Sequence, residues 1–410
     1  MPKPLSAPTV AIVKACVPAL QAHGLAVTQA MYKRLFQNQE IADLFNQSHQ
    51  ADGAQQRALA GAILAYAENI ENLGALTGAV ERIAQRHAGL NILPEHYPHV
   101  ATALLGALQD VLGEAATEEV LTAWGEAYWF LAEILIGREA EIYRDHAQAK
   151  GGWMGWRDFK VDKVERESGV VTSFYLKPAD GGPVLRHKPG QFLTFKLDLP
   201  GHGMVKRNYS ISCGPNDDHY RISVKREPAP ADQPAAPAGL ASNWLHDHAV
   251  PGTILSVAPP AGEFVLEQDN AAPVVLVSGG VGLTPMVSMM EALAEAAAPP
   301  PVHWVHGALN GRVHAMGEHI RQLAAKAGVK PVCFYETPEA ADRKGRDFDE
   351  TGRISVEWLK ANTPFDTAVF YLCGPRPFLR ALVGGLHAAG VPAERLRFEF
   401  FGPTDELLAA

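Results

Sequence analysis

The distribution of proline constrains this chain more than any other feature: none occurs between Ala19 and Leu93, and none between His99 and Lys177. Proline interrupts helices, because its ring removes a backbone donor and collides with the preceding turn, so two such stretches leave room for long helices. Within them apolar residues recur at three- and four-residue spacing, as in Ile63, Tyr66, Ala67, Ile70 and Leu73, and again in Trp124, Tyr128, Leu131 and Leu135. The first 146 or so residues therefore read as all-α, with Pro94 and Pro98 bracketing a corner between helices. Lys150-Gly151-Gly152 reads as a linker.

From Arg157 the period shortens to alternating strands, among them Val171 to Lys177, Phe192 to Leu197 and Tyr220 to Lys225, which predict a small antiparallel β-barrel. Pro228 to Gly239, with four prolines and no periodicity, predicts an exposed loop. After Pro273 strands and helices alternate: Val274 to Ser278 then Pro285 to Ala298, Val302 to His306 then Met316 to Ala327, Thr367 to Leu372 then Pro377 to Ala389. That order predicts a doubly wound parallel sheet. The expected partition is 1–150, 151–268 and 269–410, consistent with a 410-residue chain too long for one core.

Composition excludes several classes of function. A formal charge of −9 without a long basic run argues against nucleic acid. The apolar segments are short, so no stable membrane insertion is expected, and residues Met1 to Val10 lack the apolar core of a signal peptide. A cytoplasmic monomer with small-molecule ligands is the expectation. Four scattered cysteines without a Cys-x-x-Cys pair point to reduced thiols rather than disulfides or a zinc site.

Five short motifs carry the chemistry of the second half. Arg207-Asn208-Tyr209-Ser210 offers a cation for a pyrophosphate, a flat ring for an isoalloxazine face and a hydroxyl for its edge, though alone it could be an ordinary polar strand. Gly239-Leu240-Ala241-Ser242 opens a short helix (Asn243 to His246) where backbone N–H groups could meet a diphosphate, or simply be capped. Ser278-Gly279-Gly280-Val281-Gly282-Leu283-Thr284-Pro285 joins a Val-rich strand to a helix and suits a phosphate loop, with a purely structural turn as the alternative. Tyr371-Leu372-Cys373-Gly374-Pro375 ends a later strand, where open parallel sheets bind ligands; a buried, inert cysteine is the other reading. Phe398-Glu399-Phe400-Phe401-Gly402-Pro403 supplies aromatics that could cover a flavin or be core. In this order the motifs resemble the ferredoxin reductase superfamily. The resemblance implies that Arg207, Asn208, Tyr209 and Ser210 hold FAD, with Phe192 beside it, Gly239 and Ser242 at its diphosphate, and Phe400, Phe401, Gly402 and Pro403 over it. It also implies that Gly280, Val281, Gly282, Leu283, Thr284 and Pro285 cradle NAD(P)H, with Cys373 near the nicotinamide.

In the helical half, His87 ends a predicted helix, Phe45 could lie on a porphyrin face, Gln55 and Leu59 share a helix face, and Tyr32 projects from an earlier helix. With Tyr97 and Arg138-Glu139-Ala140-Glu141-Ile142-Tyr143, the first 150 residues resemble the globin of bacterial flavohaemoglobins, which carry this reductase behind the globin. The resemblance implies haem b held by His87 as the proximal iron ligand, Tyr97 and Glu139 in a proximal network, Tyr32, Gln55 and Leu59 on the distal side, and Phe45 supporting the haem. It further implies nitric oxide dioxygenase activity, with NO, O2 and NAD(P)H as substrates. A haem-linked reductase of peroxides or other acceptors, or an O2-binding or sensing globin, are the alternatives. Phe400 stands where cysteine is expected in close relatives and Asn208 where glutamine is frequent, and the loop after Glu227 is longer than expected.

Overall fold

The computed structural model describes residues 3–44, 53–229, 237–267 and 271–401. They gather into two compact units, one built on Met1–Ala149 and the other on Lys150–Gly203 with Arg207–Gly402.

Among the described residues, the first unit holds α1 (Ala7–Ala15), α2 (Val17–Leu35), α3 (Gln39–Ala42), α4 (Ala54–Glu68), α5 (Thr77–Leu90), α6 (Tyr97–Leu112) and α7 (Glu118–Gln148). Proline acts as the sequence suggests: Pro8, Pro18 and Pro98 each sit in a first helical turn, where the missing N–H costs nothing. Ser6 and Thr117 cap α1 and α7 by accepting from Thr9 N and Val120 N. Asn91 ends α5 in the left-handed region, at φ 57°.

The periodic residues face inward. Tyr66, Ala67, Ile70 and Trp124 are buried, and the Tyr66 hydroxyl donates to Ala127 O at 2.8 Å, tying α4 to α7. Helices α2 and α6 meet at Gly106, where a Cβ would lie 2.7 Å from the Arg34 guanidinium. Arg34 also pairs with Asp110, but both are about half exposed, and such a pair is worth at most about 1 kcal/mol. Burying a single Leu or Met, as at Leu104, Leu108 and Met31, contributes about 1.5–3 kcal/mol, so apolar packing holds the helices together. No single helix among the described residues is long and apolar enough to cross a membrane.

The second unit begins with β1 (Arg157–Arg166), β2 (Val171–Pro178), β3 (Phe192–Leu199), β4 (Gly203–Ser210), β5 (Tyr220–Lys225), α8 (Leu240–His248) and β6 (Ile254–Val257). The strands form one six-stranded sheet in the order β4-β3-β6-β1-β2-β5. Among the described residues its edges meet at an antiparallel bridge between Ile211 and Ile222, backed by Ser212 N–H to Arg221 O at 2.7 Å. The barrel read from the sequence is thus a curled half-barrel. The expected linker at Lys150-Gly151-Gly152 is pinned to it. Gly151 has φ 72°, a Cβ there would strike the Val184 carbonyl, and Arg157 donates to Gly151 O and Pro183 O at 3.1 Å each.

The chain continues through β7 (Val274–Gly279), α9 (Leu283–Glu295), β8 (Val302–Ala308), α10 (Gly317–Ala327), β9 (Val332–Tyr335), β10 (Glu350–Thr351), α11 (Val356–Asn362), β11 (Val369–Cys373), α12 (Arg376–Ala388) and β12 (Leu396–Glu399). All pairings in this second sheet are parallel, in the order β10-β9-β8-β7-β11-β12. Every residue of β7 and β11 is buried, as expected for strands covered on both faces. From β7 the chain winds outward to β10, then returns to the other side as β11. That reversal is the topological switch point, where doubly wound sheets bind ligands.

Candidate functional site

Three constellations can be built from the residues upward. The first lies between α5 and α7. Glu139 is 2% exposed, and its Oε1 accepts from the Tyr97 hydroxyl at 2.6 Å and from His87 Nδ1 at 2.7 Å. The sharing of one oxygen brings His87 Nδ1 to 3.2 Å from the Tyr97 oxygen. Tyr97 opens α6, where Pro98 fixes the turn, and the Tyr128 hydroxyl holds the Tyr97 carbonyl at 2.7 Å. One turn beyond Glu139 on α7, Tyr143 donates to Ile92 O at 2.6 Å and so fixes the chain just after α5. On the outer side Arg138 pairs with Glu81 of α5 at 2.7 Å. Burial and the neighbouring Glu139 carboxylate push the Tyr97 phenol well above its ordinary range, so it remains a donor.

This geometry fits an axial ligand. With Nδ1–H engaged by a carboxylate, His87 is held in the tautomer whose Nε2 carries a lone pair. Nε2 makes no hydrogen bond among the described residues, and the side chain is 31% exposed. An imidazole oriented from behind and open in front is the arrangement metal-ligating histidines adopt.

Tyr32 belongs to a second cluster. It is 5% exposed, its ring lies 5.4 Å from Phe36, and Leu59 packs against the same group of residues. Burial pushes the Tyr32 phenol well up, which keeps it protonated. Helix α4, which carries Gln55 and Leu59, is brought beside α2 by the Thr28 hydroxyl, 3.0 Å from Gln56 O. Tyr128 and Leu131 pack against both the Tyr32 cluster and the one around Tyr97 and Tyr143. Phe45 lies outside the described residues, as do Gly402 and Pro403.

The second constellation is on the antiparallel sheet. Arg207 and Tyr209, two residues apart on β4, share one face, while Asn208 and Ser210 point to the other. The Tyr209 ring stands edge-on to Phe195 at 5.6 Å. Burial lowers the Arg207 pKa, so the cation sits where an anionic partner would be favoured. Phe192 is 9% exposed, and a Cβ on Gly262 would lie 3.1 Å from its ring. The helical ladder of α8 begins with Asn243 N–H to Gly239 O, and the N–H groups of Leu240, Ala241 and Ser242 precede it. The Ser242 hydroxyl is already engaged, donating to Gly239 O at 3.1 Å and accepting from Glu227 N at 3.2 Å.

The third is at the switch point, where Ser278 of β7 stands directly beside Cys373 of β11. Two motifs almost a hundred residues apart in sequence become one site. Gly280, at φ 54°, starts a 3-10 turn that ends at Gly282, where a Cβ would collide with the Cys373 carbonyl. Phe378 fills the gap beside Gly279 and Gly374, a wedge that only the paired glycines could have signalled in the sequence. Val281 is half-buried, its carbonyl accepts from the Thr284 hydroxyl at 3.0 Å, and Leu283, Thr284 and Pro285 are buried at the start of α9. A turn whose first and last residues are glycine, at a helix N-terminus, fits a dinucleotide phosphate. Cys373 itself is wholly buried in the core, and burial drives its thiol pKa far up, so only its backbone reaches the turn. Arg376 lies 5.7 Å from the Phe400 ring, and Phe401 is 48% exposed.

Comparisons with known proteins bear on the family and the fold. A globin family model matches residues 28–135, and an oxidoreductase NAD-binding domain model matches residues 276–383. The chain is 54% identical over 403 residues to the flavohemoprotein of Xylella fastidiosa, covering 98% of each chain. It is 45% identical to the flavohemoprotein of Rhodopirellula baltica, covering 99% of this chain and 100% of that one. A flavohemoglobin from Malassezia yamatoensis, crystallised with bound FAD and heme, superposes with a TM-score of 0.85 at 26% identity, covering 97% of this chain and all of that one. The FAD/NAD-binding domain of a nitric oxide dioxygenase from Vibrio cholerae is 35% identical, with a TM-score of 0.54, covering 60% of this chain and 99% of that one.

Proposed function

This chain belongs to the flavohaemoprotein family, and from that premise we propose that it is a nitric oxide dioxygenase that oxidises NO with O2 to nitrate and draws its electrons from NAD(P)H. We assign haem b to 1–150, FAD to 151–268 and NAD(P)H to 269–410. When bound, these groups supply the iron on which the gases react and a flavin that turns a two-electron donor into a one-electron one.

The observation that carries the reading is the carboxylate behind His87. An oxygen store needs only an imidazole, whereas a buried Glu139 accepting the Nδ1 proton makes that imidazole a stronger electron donor, as a dioxygen-activating site requires. Tyr97 donates to the same oxygen and so fixes the carboxylate's rotamer. On the other side we assign Tyr32 and Gln55 as hydrogen-bond donors and Leu59 as an apolar wall, with Phe45 assigned to the haem from the sequence alone. We assign Arg207, Asn208, Tyr209 and Ser210 to orienting the flavin, with Phe192, Gly239, Ser242, Phe400 and Phe401 as further contacts and Gly402 and Pro403 added from the sequence alone. Gly280 to Pro285 hold the dinucleotide phosphates, and Cys373 shapes that turn through its backbone.

The purified protein should show haem and flavin absorbance together. Given NAD(P)H, it should consume NO and O2 in a one-to-one ratio and yield nitrate. Turnover of peroxide with O2 and NO untouched would overturn the assignment.

A further inference from the structure

Helix α9 carries the Gly280–Gly282 turn at its start, and its later residues are bound to the flavin-side sheet. Ser288 is fully buried and lies 3.1 Å from His187 Nε2, which also donates to Cys213 O at 3.0 Å. Gly190 leaves space for the Met289 methyl, which a Cβ would approach to 2.7 Å. Glu291 follows. Its Oε2 accepts from Gly214 N at 2.6 Å, and its Oε1 takes Arg221 Nη2 of β5 and His319 Nε2 of α10, each at 2.7 Å. Arg221 is 6% exposed and also donates to the Ser212 carbonyl. Burial alone would raise the Glu291 pKa, but His319, Arg221 and the Gly214 amide together hold it below the ordinary carboxylate range.

We infer that Glu291 is a positioning residue for hydride transfer: its carboxylate clamps α9, and with it the dinucleotide turn, against the sheet bearing Arg207 and Tyr209. The inference rests on the dinucleotide-to-flavin reading above. Nine residues separate Glu291 from Gly282, about 13 Å of helix at about 1.5 Å per residue, so a tilt of about 5° at the clamp displaces the turn by about 1 Å. Misplacement on that scale costs up to about a hundredfold in rate when a hydride, with both its electrons, must pass from the nicotinamide to the flavin and leave NAD(P)+. Gln at 291 keeps the shape but sets an amide donor among three donors and removes the carboxylate directly paired with buried Arg221.

The test uses full-length protein loaded with FAD and haem, wild type and Glu291→Gln, mixed anaerobically with NADH or NADPH. The limiting rate of flavin bleaching should fall at least tenfold, while the dinucleotide dissociation constant stays within threefold and FAD content and flavin potential are unchanged. Hydrogen exchange in the absence of nucleotide should be at least tenfold faster at the Gly214 amide and in the first turn of α9. Glu291→Asp, which keeps the charge but shortens its reach, should fold and still lose at least threefold in limiting rate; this arm decides if the Gln variant does not fold. A wild-type limiting rate in the variant that folds, whatever its exchange, would confine Glu291 to maintaining the fold and overturn the inference. Failure of both nucleotides to bleach the wild-type flavin would instead count against the dinucleotide reading, and unchanged exchange in the variant would then overturn the clamp itself.

Discussion

Glu139 has one oxygen shared between Tyr97 and His87, and its other oxygen is buried with no hydrogen-bond partner among the described residues. A buried carboxylate oxygen left unsatisfied is a cost the fold could avoid with an apolar residue, so its retention fits a role in tuning His87. Glu139→Gln is expected to keep the haem but to lower NO turnover about 10- to 100-fold, the usual loss when the partner of a metal-bound histidine is altered. The iron–histidine stretching frequency of the ferrous protein checks it and should fall as the ligand becomes less anionic; an unchanged frequency with full turnover would make Glu139 a packing residue. Tyr32→Phe removes one buried hydroxyl and nothing else from a side chain already packed on Phe36. A hydrogen bond to a partly charged group is worth about 1.5–3 kcal/mol, so O2 release from the reduced protein should accelerate about ten- to a hundredfold by stopped flow. An unchanged off-rate would leave Gln55 as the distal donor.

At the level of elements, the proposed dinucleotide turn forms where strands β7 and β11 bring two glycine-bearing ends together, and Gly282 touches the Cys373 carbonyl with no room for a Cβ. Gly282→Ala must push α9 and β11 apart or distort the turn, at about 1–3 kcal/mol if the core absorbs it. The variant should retain FAD, because the proposed flavin residues lie on the other sheet, while its NAD(P)+ affinity falls at least tenfold in calorimetric titration. Normal affinity would show that the turn is structural. The helical half contrasts with this, since α5 and α7 are joined by side chains, through His87 with Glu139 and Glu81 with Arg138.

Across the whole molecule, the reductase unit carries histidines that must stay neutral to fold. His187 is 3% exposed, and burial holds its pKa at about 4; His306, 1% exposed and bonded to Ser278 through Nδ1 at 2.9 Å, is held well below the ordinary value. An unfolded chain protonates these groups near the ordinary 6.5, so the unfolded state binds more protons and stability falls as pH drops from about 6.5 toward 4. His187 alone should cost about 2 kcal/mol by pH 5, at about 1.4 kcal/mol per unit. Thermal release of flavin fluorescence should therefore shift to lower temperature between pH 7 and pH 5, and His187→Gln should flatten that dependence. A wild-type transition unmoved over this range would refute the assignment of charge states.

Much of this was legible before folding, because it rests on local rules. Proline-free stretches and a 3.6-residue period mark helices wherever they lie, and strand–turn–helix order with glycines at the turn marks a doubly wound sheet, so α2, α4, α7, β7 and α9 could be read directly. The resemblance pointed to His87, Tyr97 and Glu139 as one group. What the chain alone could not give is which atoms meet: that His87 and Tyr97 share a single oxygen of Glu139, that Ser278 and Cys373 stand side by side, and that Glu291 reaches Arg221, Gly214 and His319. Those contacts span from ten to almost a hundred residues, and no local period encodes them. Sheet order, the crossing of α5 on α7 and burial around each charge decide them, because a carboxylate's partner depends on what the core has already brought within about 3 Å.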